Sequence, residues 1–138
     1  MCIRDRLGTA PGDATSEQMR ILAELADQYS SSEIRTTKRQ TIVFPFVRKD
    51  QVFDLWKSLE KYDLASPHQG TLAQIVACPG RDYCDLAKAV SIPIANRVQE
   101  RFNDMKKLLD IGDLKINISG CENSCAHHHI ADLSLIHI

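Results

Sequence analysis

Leu114-Lys115-Ile116-Asn117-Ile118-Ser119-Gly120-Cys121-Glu122-Asn123-Ser124-Cys125-Ala126-His127-His128-His129 passes from an alternating apolar–polar stretch into a polar, cysteine-bearing loop. The alternation over Leu114–Ser119 predicts a strand, and Gly120 opens a tight loop that reaches His129. A second such passage lies upstream. Thr71–Ala77 reads as a short strand, Cys78-Pro79-Gly80 as a turn, and Cys84 follows after five residues. Between the two passages, Asp82–Asp110 carries a mostly helical pattern with a break at Ser91-Ile92-Pro93. Proline is best tolerated in a first helical turn, so Ser91 is expected to cap a new helix that Gly112 ends.

Further upstream, Thr15-Ser16-Glu17-Gln18 forms a capping-box pattern. Met19, Leu22, Ala23, Ala26 and Tyr29 recur at helical spacing, which predicts a helix over about Ser16–Ser30. Ser30-Ser31-Ser32 breaks it. Glu33–Thr37 and Gln40–Val47 carry β-branched and aromatic residues, with Ile42, Phe44 and Phe46 alternating. Pro45 predicts an edge or a bulge there. Asp50 is expected to cap a second helix whose buried stripe is Val52, Phe53, Trp56 and Leu59, with Tyr62 at the rim. Leu7–Asp13 and Tyr62–Gly70 read as loops.

The chain of 138 residues is 43% hydrophobic and 25% charged, a globular composition. Its formal net charge of −1 gives no broad pull toward nucleic acid or anionic lipid, so neither is expected as a partner. No apolar run approaches the roughly 20 residues a membrane helix needs.

The two ends have a different origin in this reading. Residues 133–138 back-translate to CTG TCT CTT ATA CAC ATC, and the reverse complement, shifted by one base, encodes Met-Cys-Ile-Arg-Asp as at the start of the chain. One DNA element read from opposite strands accounts for both, and it looks like the transposase end sequence used to build sequencing libraries. Residues 1–6 and 133–138 are therefore set aside from fold reasoning as an expected sequencing-adapter artefact. Cys2 goes with them, leaving Cys78, Cys84, Cys121 and Cys125. The rest is expected to be an internal slice of a longer protein.

Four thiolates in two pairs, each at the end of an element, can hold an iron–sulfur cluster, whose irons prefer soft anionic sulfur. Gly80 and Gly120 are expected to let the backbone approach such a core. Structural zinc is the main competing reading, although its pairs are usually closer than Cys78 and Cys84. Disulfides belong to oxidising compartments and denser cysteine frameworks. A catalytic thiol would need a histidine, and His127–His129 lie near Cys125 in sequence.

Ala77-Cys78-Pro79-Gly80-Arg81-Asp82-Tyr83-Cys84-Asp85-Leu86-Ala87 and Ile118-Ser119-Gly120-Cys121-Glu122-Asn123-Ser124-Cys125 together resemble the sirohaem and 4Fe–4S signature of the nitrite and sulfite reductase family. Ile34-Arg35-Thr36-Thr37-Lys38-Arg39-Gln40 resembles the Arg-x-Thr-x-x-Gln stretch of that family's ferredoxin-like half-domain. The resemblance implies an α+β fragment of the C-terminal half of such an enzyme. Its parts would be a ferredoxin-like half-domain over residues 7–70 and the truncated start of an α/β sirohaem/4Fe–4S domain over 71–132.

By motif position, Cys78, Cys84, Cys121 and Cys125 would ligate the cluster, and Cys125 would also bridge to the sirohaem iron. Arg35 and Arg39 are candidates for the sirohaem carboxylates, against a reading in which they serve the half-domain interface or solvent. Asn123 is expected to stabilise its turn through an Asx-type bond, and His127–His129 to hydrogen-bond structurally near the haem. The implied reaction is six-electron reduction of sulfite to sulfide, with nitrite to ammonia as the alternative. No catalytic residue is assigned, because the substrate-binding Arg and Lys are expected in the half that is missing. The electron donor would be ferredoxin or a flavoprotein, the setting cytoplasmic, and the slice alone inactive. A non-catalytic iron–sulfur carrier or a zinc-stabilised binding module is the reading from another class.

Overall fold

The structure, a computed structural model, describes residues 3–6 and 13–136. Most of the expected Leu7–Asp13 loop lies outside these residues. The chain divides into two compact units, residues 1–67 and 68–138.

In the first unit, helix α1 (Ser16–Tyr29) starts where the capping box predicts. The Gln18 N–H donates to Thr15 Oγ1, and the Thr15 N–H donates to Gln18 Oε1. Its buried residues are Leu22, Leu25 and Ala26, whereas Met19 and Ala23 of the expected stripe are exposed. Strands β1 (Ile3–Arg6), β2 (Arg35–Thr36) and β3 (Thr41–Phe44) form an antiparallel sheet in the order β1–β3–β2. Strand β3 is therefore central, contrary to the expectation drawn from Pro45. The proline lies just past the strand, where it removes no ladder bond, and its carbonyl accepts from the Ser30 hydroxyl. All four residues of β3 are buried, and Phe46 turns outward at a left-handed φ of 60°.

Helix α2 (Val52–Glu60) follows a 3₁₀ turn at Lys49–Gln51. Asp50 does not cap it. Its carboxylate instead takes Arg48 Nε at 3.1 Å and Nη2 at 2.8 Å, and this pairing holds the Asp50 carboxyl below its ordinary range. Leu55 and Leu59 form the buried stripe with half-buried Val52, while Phe53 and Trp56 are 59% and 40% exposed. Leu22, Leu25, Ile42, Phe44, Leu55, Leu59 and Leu64 make one core.

The second unit is built on a parallel sheet, β4 (Val76–Ala77), β5 (Ile116–Ser119) and β6 (Leu133–Ile136), with β5 in the middle. Parallel neighbours need a crossover, and α3 (Ile92–Arg101) and α4 (Met105–Ile111) supply it between β4 and β5. Gly112 ends α4 at φ +80°, but the single helix expected from Ser91 to Gly112 is two: α3 stops at Arg101 and Asp104 caps α4 anew. Ile116 and Ile118 pack with Leu72, Ile75, Ala77, Ala95 and Leu108. Asn117 and Ser119, on the opposite face of the same strand, are buried as well.

The expected helix over Asp82–Val90 is absent; that stretch is a succession of turns. The N–H groups of Lys88 and Ala89 donate to the Gly120 carbonyl at 2.9 and 3.2 Å, so they cannot serve a helical ladder. The hexapeptides set aside on their codons contribute β1 and β6, at the sheet edges. A ladder is made by peptide groups that any non-proline residue supplies, so this pairing is neutral as to their origin. No helix among the described residues is long and apolar enough to cross a membrane.

Candidate metal centre

Parallel pairing of Ala77 with Ile118 brings the carboxyl ends of β4 and β5 side by side. The pairing continues one step further, where the Cys78 N–H donates to the Ile118 carbonyl at 3.0 Å. The loops that leave this end carry both cysteine pairs. In open sheets with crossover helices, this edge is where ligands are bound.

Gly120 ties the two loops together. Its carbonyl accepts from Lys88 and Ala89, and its N–H donates to Cys78 Sγ at 3.1 Å. A Cβ on Gly120 would stand 2.7 Å from the Ala89 carbonyl oxygen, and one on Gly80 would stand 2.6 Å from the Ser91 nitrogen. The two glycines thus allow loop to meet loop.

Cys78 is buried beside Val76 and Ala126, Cys84 and Cys121 are half-buried, and Cys125 is exposed. All four are free thiols. Among the described residues, no three His, Cys, Asp or Glu side chains converge closely enough to hold one metal ion. The residues fit a soft metal centre in donor type, in their common position at one sheet edge, and in the hydrogen bonds that meet Cys78. Convergence of the four sulfurs is not part of this arrangement.

Two polar residues that sequence reasoning did not place in the site are central to it. Asn117 Nδ2 donates to the carbonyls of Ala126 at 2.7 Å and His127 at 3.0 Å, pinning the end of the second cysteine loop to β5. Asn123, expected to stabilise its turn through an Asx-type bond, is exposed and makes no side-chain hydrogen bond among the described residues. Ser91 is fully buried at the N-cap of α3, yet its hydroxyl makes no capping bond. Its Oγ lies 3.2 Å from Cys78 Sγ. The available signal for Asn117 was its place in a strand buried on both faces, as parallel strands commonly are.

His127 sits at a left-handed φ of 51° and closes the loop through a 2.7 Å bond from its N–H to the Ser124 carbonyl. His128 is buried, with its ring centroid 3.9 Å from that of His129. Burial, and secondarily the neighbouring His129, lower its pKa. In the first unit, Arg35 is exposed on β2, its Nε paired to Glu33 at 2.5 Å and its guanidinium 5.4 Å from the centre of the Phe46 ring. Arg39 is half-buried in the turn between β2 and β3.

Residues 6–62 match the family model of the nitrite/sulfite reductase ferredoxin-like half domain. Over 135 residues the chain is 30% identical to sulfite reductase (ferredoxin) 2 of Mycolicibacterium paratuberculosis, covering 94% of this chain and 24% of that protein. It is 34% identical over 134 residues to the assimilatory ferredoxin-dependent nitrite reductase of Haloferax mediterranei, covering 94% and 22%. Among solved structures, the NirA protein of Mycobacterium tuberculosis superposes with a TM-score of 0.76 at 25% identity, over 95% of this chain and 24% of that one. The chain thus spans about a quarter of the length of these relatives.

Proposed function

Because the chain belongs to the nitrite/sulfite reductase family, we propose that it is part of an enzyme carrying out the six-electron reduction of sulfite to sulfide. The observation that carries this reading is the arrival of both cysteine pairs at one sheet edge, with their loops joined through Gly120. Cys78, Cys84, Cys121 and Cys125 hold a 4Fe–4S cluster, and the Cys125 thiolate also ligates the iron of a sirohaem. When bound, the two groups would supply stored electrons and a metal site for the substrate.

Within this chain, Cys78 is the anchoring ligand, since burial and the Gly120 N–H fix its sulfur. Cys125 is the exposed one of the four, which leaves it open to a second cofactor. Asn117 holds the loop just beyond it. Arg35 and Arg39 contact sirohaem carboxylates, for which a planar guanidinium is suited. Ferredoxin or a flavoprotein donates the electrons in the cytoplasm. The chain alone reduces neither anion, because the Arg and Lys residues that bind the oxyanion belong to the other half of the enzyme.

Nitrite is the second reading of the substrate, favoured by the 34% identity to the assimilatory nitrite reductase of Haloferax mediterranei. The deciding experiment is an absorption spectrum of the complete gene product, extended past both ends of this chain and expressed with sirohaem supply. A sirohaem spectrum that shifts with sulfite or nitrite supports the reductase, and relative turnover then selects the substrate. A spectrum with a cluster and no tetrapyrrole would make it an electron carrier, and a colourless zinc protein a binding module. In the reductase, Cys125→Ser is expected to abolish electronic coupling between sirohaem and cluster, read by electron paramagnetic resonance; unchanged coupling would reassign the bridge.

A further inference from the structure

The surroundings of Cys78 pose an electrostatic problem. Its sulfur is buried against Val76 and Ala126, and a thiolate there is far from the water that would stabilise its charge. Charge in such a place requires donors, and two are aimed at this sulfur: the Gly120 N–H at 3.1 Å and the Ser91 hydroxyl at 3.2 Å. The first is fixed by the end of β5. The second is a side-chain choice, and three features make it a specific one.

Ser91 occupies the N-cap of α3, where serine ordinarily accepts a bond from the first helical turn, and its hydroxyl makes none. It is fully enclosed, so no solvent competes for that hydroxyl. The two glycines of the cysteine loops leave room for it, since a Cβ at Gly80 or at Gly120 would approach Ser91 Oγ to 3.0 or 3.2 Å. Three separate segments are thus shaped around one hydroxyl beside one sulfur. A sulfur bound to iron carries no proton, so in the loaded protein the hydroxyl can only donate.

We propose that Ser91 is a positioning residue that donates a hydrogen bond to the Cys78 thiolate and thereby raises the reduction potential of the cluster. The proposal rests on the iron–sulfur reading above. A donor on a ligand sulfur favours the more negative, reduced cluster. Removing it makes the potential more negative without changing any ligand.

The test is a potentiometric titration of the complete gene product, wild type against Ser91→Ala and Ser91→Thr, with iron and acid-labile sulfide assayed beside it. Ser91→Ala is expected to shift the potential downward, so that the ratio of reduced to oxidised cluster at a fixed poise falls roughly three- to tenfold. Ser91→Thr keeps the hydroxyl and is expected to retain the wild-type potential. An unchanged potential in a fully loaded Ser91→Ala protein overturns the proposal and leaves the iron–sulfur reading intact. Absence of iron and sulfide from the wild type overturns that reading itself. If Ser91→Ala fails to load, a loaded Ser91→Thr protein with native potential upholds the hydrogen bond, and failure of both assigns Ser91 to packing alone.

Discussion

A methyl group at position 120 would lie 2.7 Å from the Ala89 carbonyl oxygen, a backbone atom that cannot swing aside as a side chain does. Gly120→Ala is therefore expected to cost about 1–3 kcal/mol, the range for forced overpacking. Gly80→Ala is expected to cost more, because its clash with the Ser91 nitrogen adds to a φ of +68° that L-residues resist. Urea unfolding midpoints of the two variants check both the size and the order. Asn117 acts through bonds rather than space. Asn117→Ala strips the Ala126 carbonyl of its donor and leaves the His127 carbonyl with the Ile130 N–H alone, and a loss of about 1–3 kcal/mol is expected. Hydrogen exchange should then report faster opening at the His127 amide, whose bond to Ser124 closes the same loop. Unchanged protection there would mean that the loop holds without Asn117.

At the scale of the element, α2 separates a buried stripe from an aromatic face. Leu59→Ala removes a fully buried side chain and is expected to destabilise by about 2–5 kcal/mol. Trp56→Ala is expected to cost less, about 1 kcal/mol, since the indole is 40% exposed and stacks on the likewise exposed Phe53 with ring centroids 5.8 Å apart. Trp56 is the single tryptophan of the chain, so its emission should be red-shifted and quenched by iodide. Elements were legible in the sequence where their determinants are local. The α1 capping box lies within four residues, and Gly112 ends α4 by its own φ. The turns of Asp82–Val90 were not legible, because the group that claims the Lys88 and Ala89 amides is the distant Gly120 carbonyl. The same holds within the site. Cysteine spacing is written in the chain, whereas the roles of Ser91 and Asn117 arise only once the parallel pairing of β4 and β5 has brought distant segments together.

For the whole molecule, burial of His128 links folding to pH. Burial, with His129 adding to it, disfavours the imidazolium, so the folded pKa lies below the ordinary value of about 6.5. On acidification the unfolded chain takes up this proton first. The contribution is fully present above about pH 6.5 and is lost as pH falls through the folded pKa. Urea midpoints at about pH 7.5 and about pH 5.5 should differ more for the wild type than for His128→Gln, whose uncharged amide does not titrate in this range. The crossover between β4 and β5 also has a consequence for how such a protein is made. Cys84 leaves the ribosome 37 residues before Cys121, a delay of roughly two to seven seconds at ordinary elongation rates. During that interval the nascent chain presents one thiol pair without its counterpart, so a cofactor held by both pairs would be inserted only after β5 has been translated.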